Sequence, residues 1–283
     1  MPHRLLLAVV LVLLSSTASG ASSRANKKQV EYSMLVTGRI AVAADGNVRG
    51  YAMDSAEKLP RDARDFIQKN LEQWKFVPPM IDGRAAEAQG MMSLRLIGKK
   101  VGDGKFDIRL GAISFDTPDQ VEGNSFSPKQ MGPPRYPASA ERSGASGVVY
   151  LLLRIGRDGK VEEAVVEQVN LRVIANDTDM KRYRDTFSEA ALEAARAWEF
   201  TPPVSGPRVG DPHWIARVPL DFAFWGEQAK YGQWEGYVPG PYQSYAWAGD
   251  TEAGYSPDAL PPGRLHPVGK DGLRLLKPPG SEE

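Results

Sequence analysis

Few residues of this 283-residue chain have the types and spacing that enzymatic chemistry needs. The chain has three histidines and no cysteine, so it contains no disulfide and no thiol nucleophile. His213, beside Pro212 and Trp214, is typical of a turn before a strand. The sequence has no zinc-binding His-Glu-x-x-His motif, no glycine-rich phosphate loop and no Gly-x-Ser-x-Gly motif. We therefore predict a non-enzymatic protein without a metal or cofactor; carboxylates that meet only in the folded chain leave an enzyme of unknown chemistry as an alternative.

Composition and charge favour a globular protein without a polyanionic partner. Hydrophobic residues make up 42% of the chain and charged residues 25%, which are ordinary values for folded domains. The 35 Lys and Arg residues balance the 35 Asp and Glu residues, whereas a nucleic-acid-binding protein normally carries a basic face. The sequence thus argues against nucleic acid as a partner, and its length leaves room for two modest domains.

The first residues have the layout of a secretory signal peptide. His3 and Arg4 precede an apolar run from Leu5 to Leu14, and small residues follow as far as Ala21. The run of about ten apolar residues is short of the roughly 20 that a spanning helix needs. We expect a signal peptide at residues 1–21 and export to the periplasm. The alternative is an uncleaved anchor in the inner membrane that leaves the rest of the chain facing the periplasm.

A short phrase occurs twice, as EQWKFVPP at Glu72 to Pro79 and as RAWEFTPP at Arg196 to Pro203. Its two prolines cannot continue a helix and push the residue before them to extended geometry. At such a helix end, the Trp can complete the apolar stripe while the Phe, already extended, returns to the same core. A binding site is the alternative. We interpret four aromatic residues as structural residues at two helix exits: Trp74, Phe76, Trp198 and Phe200.

Upstream of each phrase, the pattern predicts a β-hairpin followed by a helix. Asp45-Gly46 and Asp158-Gly159 each separate two β-rich runs, and glycine accepts the positive φ of a tight hairpin turn. Apolar residues then recur at steps of three and four, as on one face of a helix. In the second copy, Thr186 and Glu189 fit a capping box, which predicts the helix start there, after a polar excursion at 172–185. One more strand follows each pair of prolines.

The second of these units resembles the C-terminal domain of TonB, the periplasmic protein that energises outer-membrane transporters. The motifs that carry the resemblance are, in chain order, Tyr136-Pro137, Asp158-Gly159, Ala190 to Leu192, the Trp-x-Phe-x-Pro motif from Trp198, and Pro219 in the closing strand. The first unit is a degenerate match that lacks the Tyr-Pro lead. The resemblance implies an antiparallel sheet backed by a helix.

We therefore predict an α+β fold of two β-β-α-β units, each a small antiparallel sheet backed by one helix. The first unit covers 30–98, and the second, the better match, covers 133–225. Between them, 99–132 is expected to be a linker with an additional strand at Phe106 to Phe115. Residues 226–283 are expected to form an irregular tail rich in Gly, Pro and aromatic residues.

The resemblance also implies a binding mode. Family members capture a short extended peptide by adding it as a strand beside their last strand, so that main-chain hydrogen bonds provide the affinity. Here that strand is Ile215 to Phe224, and Pro219 within it removes one donor if its nitrogen faces outward. A blunted edge without a partner is the alternative. The implied peptide-binding residues are Ile215, Ala216, Arg217, Val218, Leu220, Asp221 and Phe222.

These expectations combine into a TonB-like protein- or peptide-binding module of the cell envelope. The implied partner is a protein or an extended peptide, for which a segment of an outer-membrane transporter is one candidate; a homodimer is also open. A membrane-anchored TonB-type energy transducer is the alternative, although the chain lacks a long proline-rich linker. The aromatic tail either packs back on a domain or binds a partner, and we hypothesise that part of it covers the Ile215 to Phe224 edge. From Pro261 onward we predict disorder.

Overall fold

The computed structural model describes residues 30–81, 83–102, 105–116, 123–224, 230–249, 256–268 and 273–277. The predicted signal peptide lies outside the described residues. The elements are, in chain order, β1 (Glu31–Val42), β2 (Val48–Met53), α1 (Arg61–Leu71), β3 (Met80–Ile81), β4 (Arg84–Ala85), β5 (Ala88–Gly102), β6 (Lys105–Asp116), β7 (Ser127–Gln130), α2 (Ala138–Arg142), β8 (Gly147–Gly156), β9 (Val161–Leu171), α3 (Asp177–Arg196), β10 (Glu199–Thr201), β11 (His213–Phe222), β12 (Glu235–Tyr237) and β13 (His266–Val268).

Two antiparallel sheets organise these elements. In the first, the strand order is β12-β1-β5-β6, and β2 pairs with the other half of the β1 edge that β12 occupies. In the second, the order is β13-β11-β8-β9. The short strands β7 and β10 pair with each other, as do β3 and β4. The α+β fold class with antiparallel sheets is confirmed.

Each sheet buries one face under one helix. In α1, Ala63, Ile67 and Leu71 recur every four residues, are all buried, and pack in a cluster with the first sheet. In α3, Phe187 and Ala191 lie in the cluster that covers the second sheet. The side chains of a strand alternate between the two faces, so every second residue of β1, β5, β8 and β11 contributes to one of these two cores.

Helix α3, the helix of the second predicted unit, is longer than the sequence indicated. It begins at Asp177, so the prediction of a capping box at Thr186 is wrong. Asn176 is the N-cap instead, because its side-chain oxygen accepts a hydrogen bond from the Asp179 backbone N–H at 2.9 Å. Residues 177–185 of the predicted polar excursion form the first turns of the helix, and Met180 and Tyr183 extend the buried stripe within them.

The tail is more ordered than predicted. It adds β12 to the first sheet and β13 to the second, and the prediction of disorder from Pro261 is wrong for the described part. His266 is 3% exposed, and Leu275 forms a β-bridge with Phe76 in the first unit. The strand expected at Phe106 to Phe115 corresponds to β6, which forms an edge of the first sheet.

Both copies of the repeated phrase dock on the hairpin turn of their own unit. The Phe76 N–H donates to the Gly46 carbonyl at 2.8 Å, and the Phe200 N–H donates to the Gly159 carbonyl at the same distance. Both glycines have a positive φ, +83° and +78° respectively. Phe76 and Phe200 are 0% and 2% exposed. In each unit, the segment leaving the helix therefore closes onto the turn of the hairpin and carries its Phe into the core.

We expect Gly159→Ala to destabilise the second unit through two effects. An alanine at φ +78° carries backbone strain of about 1–3 kcal/mol. Its Cβ would also lie 2.0 Å from the Phe200 carbonyl oxygen, so the turn and the helix exit must separate. Gly144→Ala is the matched control, because Gly144 has φ +62° and no atom within 4 Å of an added Cβ. Urea denaturation should show the larger loss for Gly159→Ala; equal losses would contradict a role for the docking contact.

Candidate functional site

The candidate site is the outer edge of β11, the last strand of the second predicted unit. Its inner edge pairs with β8 without interruption, from His213 opposite Gly156 to Phe222 opposite Gly147. Trp214, Ala216 and Val218 are at most 1% exposed and point to the helix side of the sheet. Leu220 and Phe222 share that face. Five of the side chains on this strand are therefore core residues, and only the main chain can meet a partner at those positions.

A hydrogen bond from the tail shows which main-chain groups of β11 point to its outer edge. The Gly263 N–H donates to the Pro219 carbonyl at 3.3 Å, so Pro219 directs its carbonyl, and with it its nitrogen, to the outer edge. The N–H and C=O groups of successive residues in an antiparallel strand point alternately to its two edges. The main-chain groups of Ile215, Arg217 and Asp221 therefore also point to the outer edge. The main-chain groups of Val218 point to the inner edge, toward β8. The donor that proline lacks is thus missing on the outer edge.

A tail strand already occupies part of this edge. In β13, Val268 lies opposite Ile215, Pro267 opposite Ala216, and His266 opposite Arg217. The hypothesis that part of the tail covers this edge is confirmed for Ile215–Arg217. The main-chain groups of Ala216 point to β8, so the residue opposite Ala216 needs no N–H to bond with it. Pro267 occupies that position, as expected for a proline in an edge strand.

Side chains hold β13 in place on both faces. Leu265 packs against the core beneath the second sheet. On the opposite face, His266 Nδ1 lies 3.0 Å from Asp116 Oδ2, at the end of β6. Arg208 donates from Nη2 to the Val268 carbonyl at 3.1 Å. The tail strand therefore contacts the edges of both sheets.

The face of β11 turned away from its helix carries a buried ion pair. Arg217 donates from Nε and Nη2 to the two carboxylate oxygens of Glu167 in β9, at 2.8 and 3.0 Å. The two side chains are 11% and 1% exposed. Such a two-point bond fixes the Arg217 side chain, so the guanidinium is not available to a ligand.

A second ion-pair network joins β11 to the first part of the tail. Arg172 lies 2.6 Å from Asp221 and 2.5 Å from Glu235 in β12. Burial opposes the charge of Arg172, but the hydrogen bond and charge of Asp221 and the charge of Glu235 outweigh it and raise its pKa. The Asp221 side chain is therefore engaged within the protein.

A cavity of about 280 Å³ lies between the two sheets where the tail crosses. Arg95 and Tyr150 line it from opposite sheets, and Tyr237 lines it from the tail. Burial raises the pKa of Tyr150, and burial together with the charges of Asp258 and Glu31 raises the pKa of Tyr237. Both phenols therefore stay neutral at physiological pH.

The residues of the helix exits occupy the cores. Trp198 is 2% exposed, and its Nε1–H donates to the Gly132 carbonyl at 2.8 Å. Trp74, its counterpart, is only partly buried and contacts Phe76 and Phe115 edge to face. Asp158 accepts a hydrogen bond from the Lys160 N–H, which shapes the turn. These contacts are those of structural residues.

No metal centre or membrane-spanning helix accompanies this edge in the part of the chain that the structure describes. There, no group of three or more His, Cys, Asp or Glu side chains could hold a metal ion. Across the same ranges, no helix combines the length and the apolar character needed to cross a membrane. His213 lies at the first position of β11, opposite Gly156.

Comparisons with known proteins find a sequence similarity over about a third of the chain. No family model matches the sequence. Two proteins called Protein TonB, from Xanthomonas campestris pv. campestris strains B100 and ATCC 33913, are 35% identical over 99 residues, which is 35% of this chain and 38% of each relative. The solution NMR structure of the Pseudomonas aeruginosa TonB CTD matches 39% of the chain and 95% of that domain, at 23% identity and a TM-score of 0.26. Over these 99 residues, the chain is therefore similar to Protein TonB, and it spans less than half of those relatives' length.

Proposed function

We propose that this protein is an exported binding module of the cell envelope that takes part in TonB-type outer-membrane transport. In this function, it captures an extended segment of a partner protein by adding it as a strand to the outer edge of β11. The kinship with Protein TonB supports the transport context, although the match spans about 38% of those relatives' length. The similarity to Protein TonB and the signal peptide predicted from the sequence both support an envelope location.

The observation that carries this proposal is the pairing of β13 with β11. An extended segment from a distant part of the chain already pairs antiparallel with β11 over Ile215–Arg217. The edge is therefore shaped to accept a strand, and the side chains beneath it are packed in a rigid core. Strand addition of this kind obtains affinity from main-chain bonds and selectivity from alternate side chains.

A partner strand would meet a defined set of main-chain groups. Ile215, Arg217 and Asp221 offer both an N–H and a carbonyl, and Pro219 offers only a carbonyl. In the described part of the chain, no backbone hydrogen bond reaches the outward side of Asp221. In this proposal, a partner strand begins to pair at Asp221, before it reaches the positions that β13 covers.

We expect Asp221→Pro to weaken partner binding without disturbing β13. The substitution removes one outward N–H, and a single hydrogen bond contributes about 0.5–1.5 kcal/mol, which corresponds to roughly a 2- to 13-fold loss of affinity. Asp221→Asn is the matched control, because it also removes the ion pair with Arg172 but keeps the N–H.

The measurement is binding of the full-length protein to overlapping peptides from the periplasmic segments of the host's outer-membrane transporters. Peptides that bind the wild type should bind Asp221→Asn about equally well, although this variant lacks the charge of Asp221. The same peptides should bind Asp221→Pro less tightly. Absence of any binding peptide, or equal binding by the two variants, would argue against capture at this edge.

A further inference from the structure

We infer that Leu265–Val268 is a built-in ligand of the β11 edge, which a partner must displace in order to bind over Ile215–Arg217. This inference rests on the proposed capture at that edge and adds to it the regulation of the site and the type of sequence that it accepts. It follows from the small size of the β13 pairing, from the anchoring of the tail on both sides of it, and from the directions of its side chains.

The pairing of β13 is small compared with the structural ladders of the same sheet. It comprises three residue pairs, whereas β8 and β11 share ten. Only Ile215 and Arg217 direct main-chain groups to it, and its middle residue is a proline. Opening this pairing breaks few hydrogen bonds and leaves the β8–β11 ladder intact.

The tail is anchored before this segment. Ala259 and Leu260 are at most 2% exposed. Asp258 accepts a hydrogen bond from Arg95 Nε on its carbonyl at 2.6 Å and one from the Tyr237 hydroxyl on its carboxylate at 3.2 Å. These contacts hold the chain between the two sheets, seven residues or fewer before Leu265.

The tail is anchored again after it. The Val77 N–H donates to the Arg274 carbonyl, and the Leu276 N–H donates to the Lys75 carbonyl, each at 2.8 Å. A strand tethered on both sides stays near its edge after it opens, at an effective concentration that for short tethers is of the order of millimolar. The tail strand therefore acts as an intramolecular competitor.

The directions of the side chains define the class of partner sequence. Pro267 shares the helix-side face with Ala216, and Leu265 packs against the same core. His266 and Val268 lie on the other face, where His266 meets Asp116. A competing segment should thus be extended, antiparallel to β11, and apolar at two alternate positions, the second of which tolerates proline because no N–H is needed there.

The test uses the full chain with Val268→Pro, which removes the N–H that faces Ile215, and Val268→Thr as the control that keeps it. The probe is a fluorescent peptide with the sequence of residues 261–268. Because the tethered competitor is weakened, Val268→Pro should bind the probe about tenfold more tightly than the wild type does, whereas Val268→Thr should bind it as the wild type does. Without the probe, amide hydrogen exchange at Ile215 and Arg217 should be faster in Val268→Pro than in the wild type or Val268→Thr.

Two further comparisons separate the outcomes. Leu265→Ser removes only the apolar contact. Like Val268→Pro, it should bind the probe more tightly than the wild type and exchange the amides of Ile215 and Arg217 faster. The inference can therefore be tested even if Val268→Pro does not fold. Equal probe binding by the wild type and both weakened variants, or unchanged exchange, overturns the inference. If the probe behaves as expected but no transporter peptide binds any variant, the proposed function fails and the built-in ligand stands. If transporter peptides bind the wild type and the variants equally, capture stands and the competitor does not.

Discussion

Replacing Arg217 with methionine is expected to reduce the free energy of unfolding by about 3–5 kcal/mol, the range measured when one partner of a buried ion pair is removed. The Glu167 carboxylate is 1% exposed and accepts two hydrogen bonds from Arg217. Without them, the carboxylate is left in the interior with a charge that neither water nor a cation compensates. Urea denaturation of the wild type and the variant measures the loss directly.

The double variant Arg217→Met/Glu167→Leu distinguishes the loss of the ion pair from the loss of packing. Replacing a buried pair by apolar residues of similar volume is often neutral or stabilising, so the double variant should recover most of the stability that Arg217→Met loses. A double variant that is less stable than Arg217→Met would show that the two side chains matter mainly through other contacts.

Trp198→Ala is expected to destabilise the second unit by about 3–5 kcal/mol, as truncation of a buried aromatic side chain does. Trp198 fills the end of the core beneath the second sheet, and its indole N–H satisfies the Gly132 carbonyl. The protein should therefore unfold at lower temperature, while the fraction that is still folded should bind probe peptides with unchanged affinity.

Trp74→Ala is the natural control, since Trp74 occupies the same place in the first phrase but is only partly buried. It should lose clearly less stability than Trp198→Ala, as followed by thermal unfolding. A selective loss of peptide binding in folded Trp198→Ala would instead favour the binding-site interpretation of the repeated phrase.

Local signals in the sequence sufficed for the hairpins and the helix exits. Asp158-Gly159 specifies a turn by its own backbone preferences, and the Pro-Pro pair ends a helix wherever the helix lies. The start of α3 was missed because Met180 and Tyr183 are separated by charged residues that mask the apolar stripe. The Asn176 cap was the available signal, an Asn followed by acidic residues in the first turn.

The occupied state of the β11 edge could not be predicted from sequence pattern alone. A three-residue strand such as β13 is too short to show a period of two, and nothing in its composition names its partner. The same holds for Arg217 and Glu167, which are 50 residues apart in sequence. The resemblance pointed to the strand that could accept a peptide, but only the fold shows that part of this edge is covered from within the chain.

The return of the tail to both sheets affects how this protein folds. Tyr237 contacts Glu31 across 206 residues of sequence, and β12 completes the edge beside the first strand of the fold. A contact between residues so far apart in sequence closes a large loop. The entropy lost in closing that loop opposes folding before the contact stabilises the chain, so such contacts slow folding. Until they form, the edges of β1 and β11 expose unpaired hydrogen-bonding groups that can pair with other chains. We therefore expect refolding yield to fall with protein concentration and to improve when a peptide with the sequence of residues 261–268 is present to cover the β11 edge.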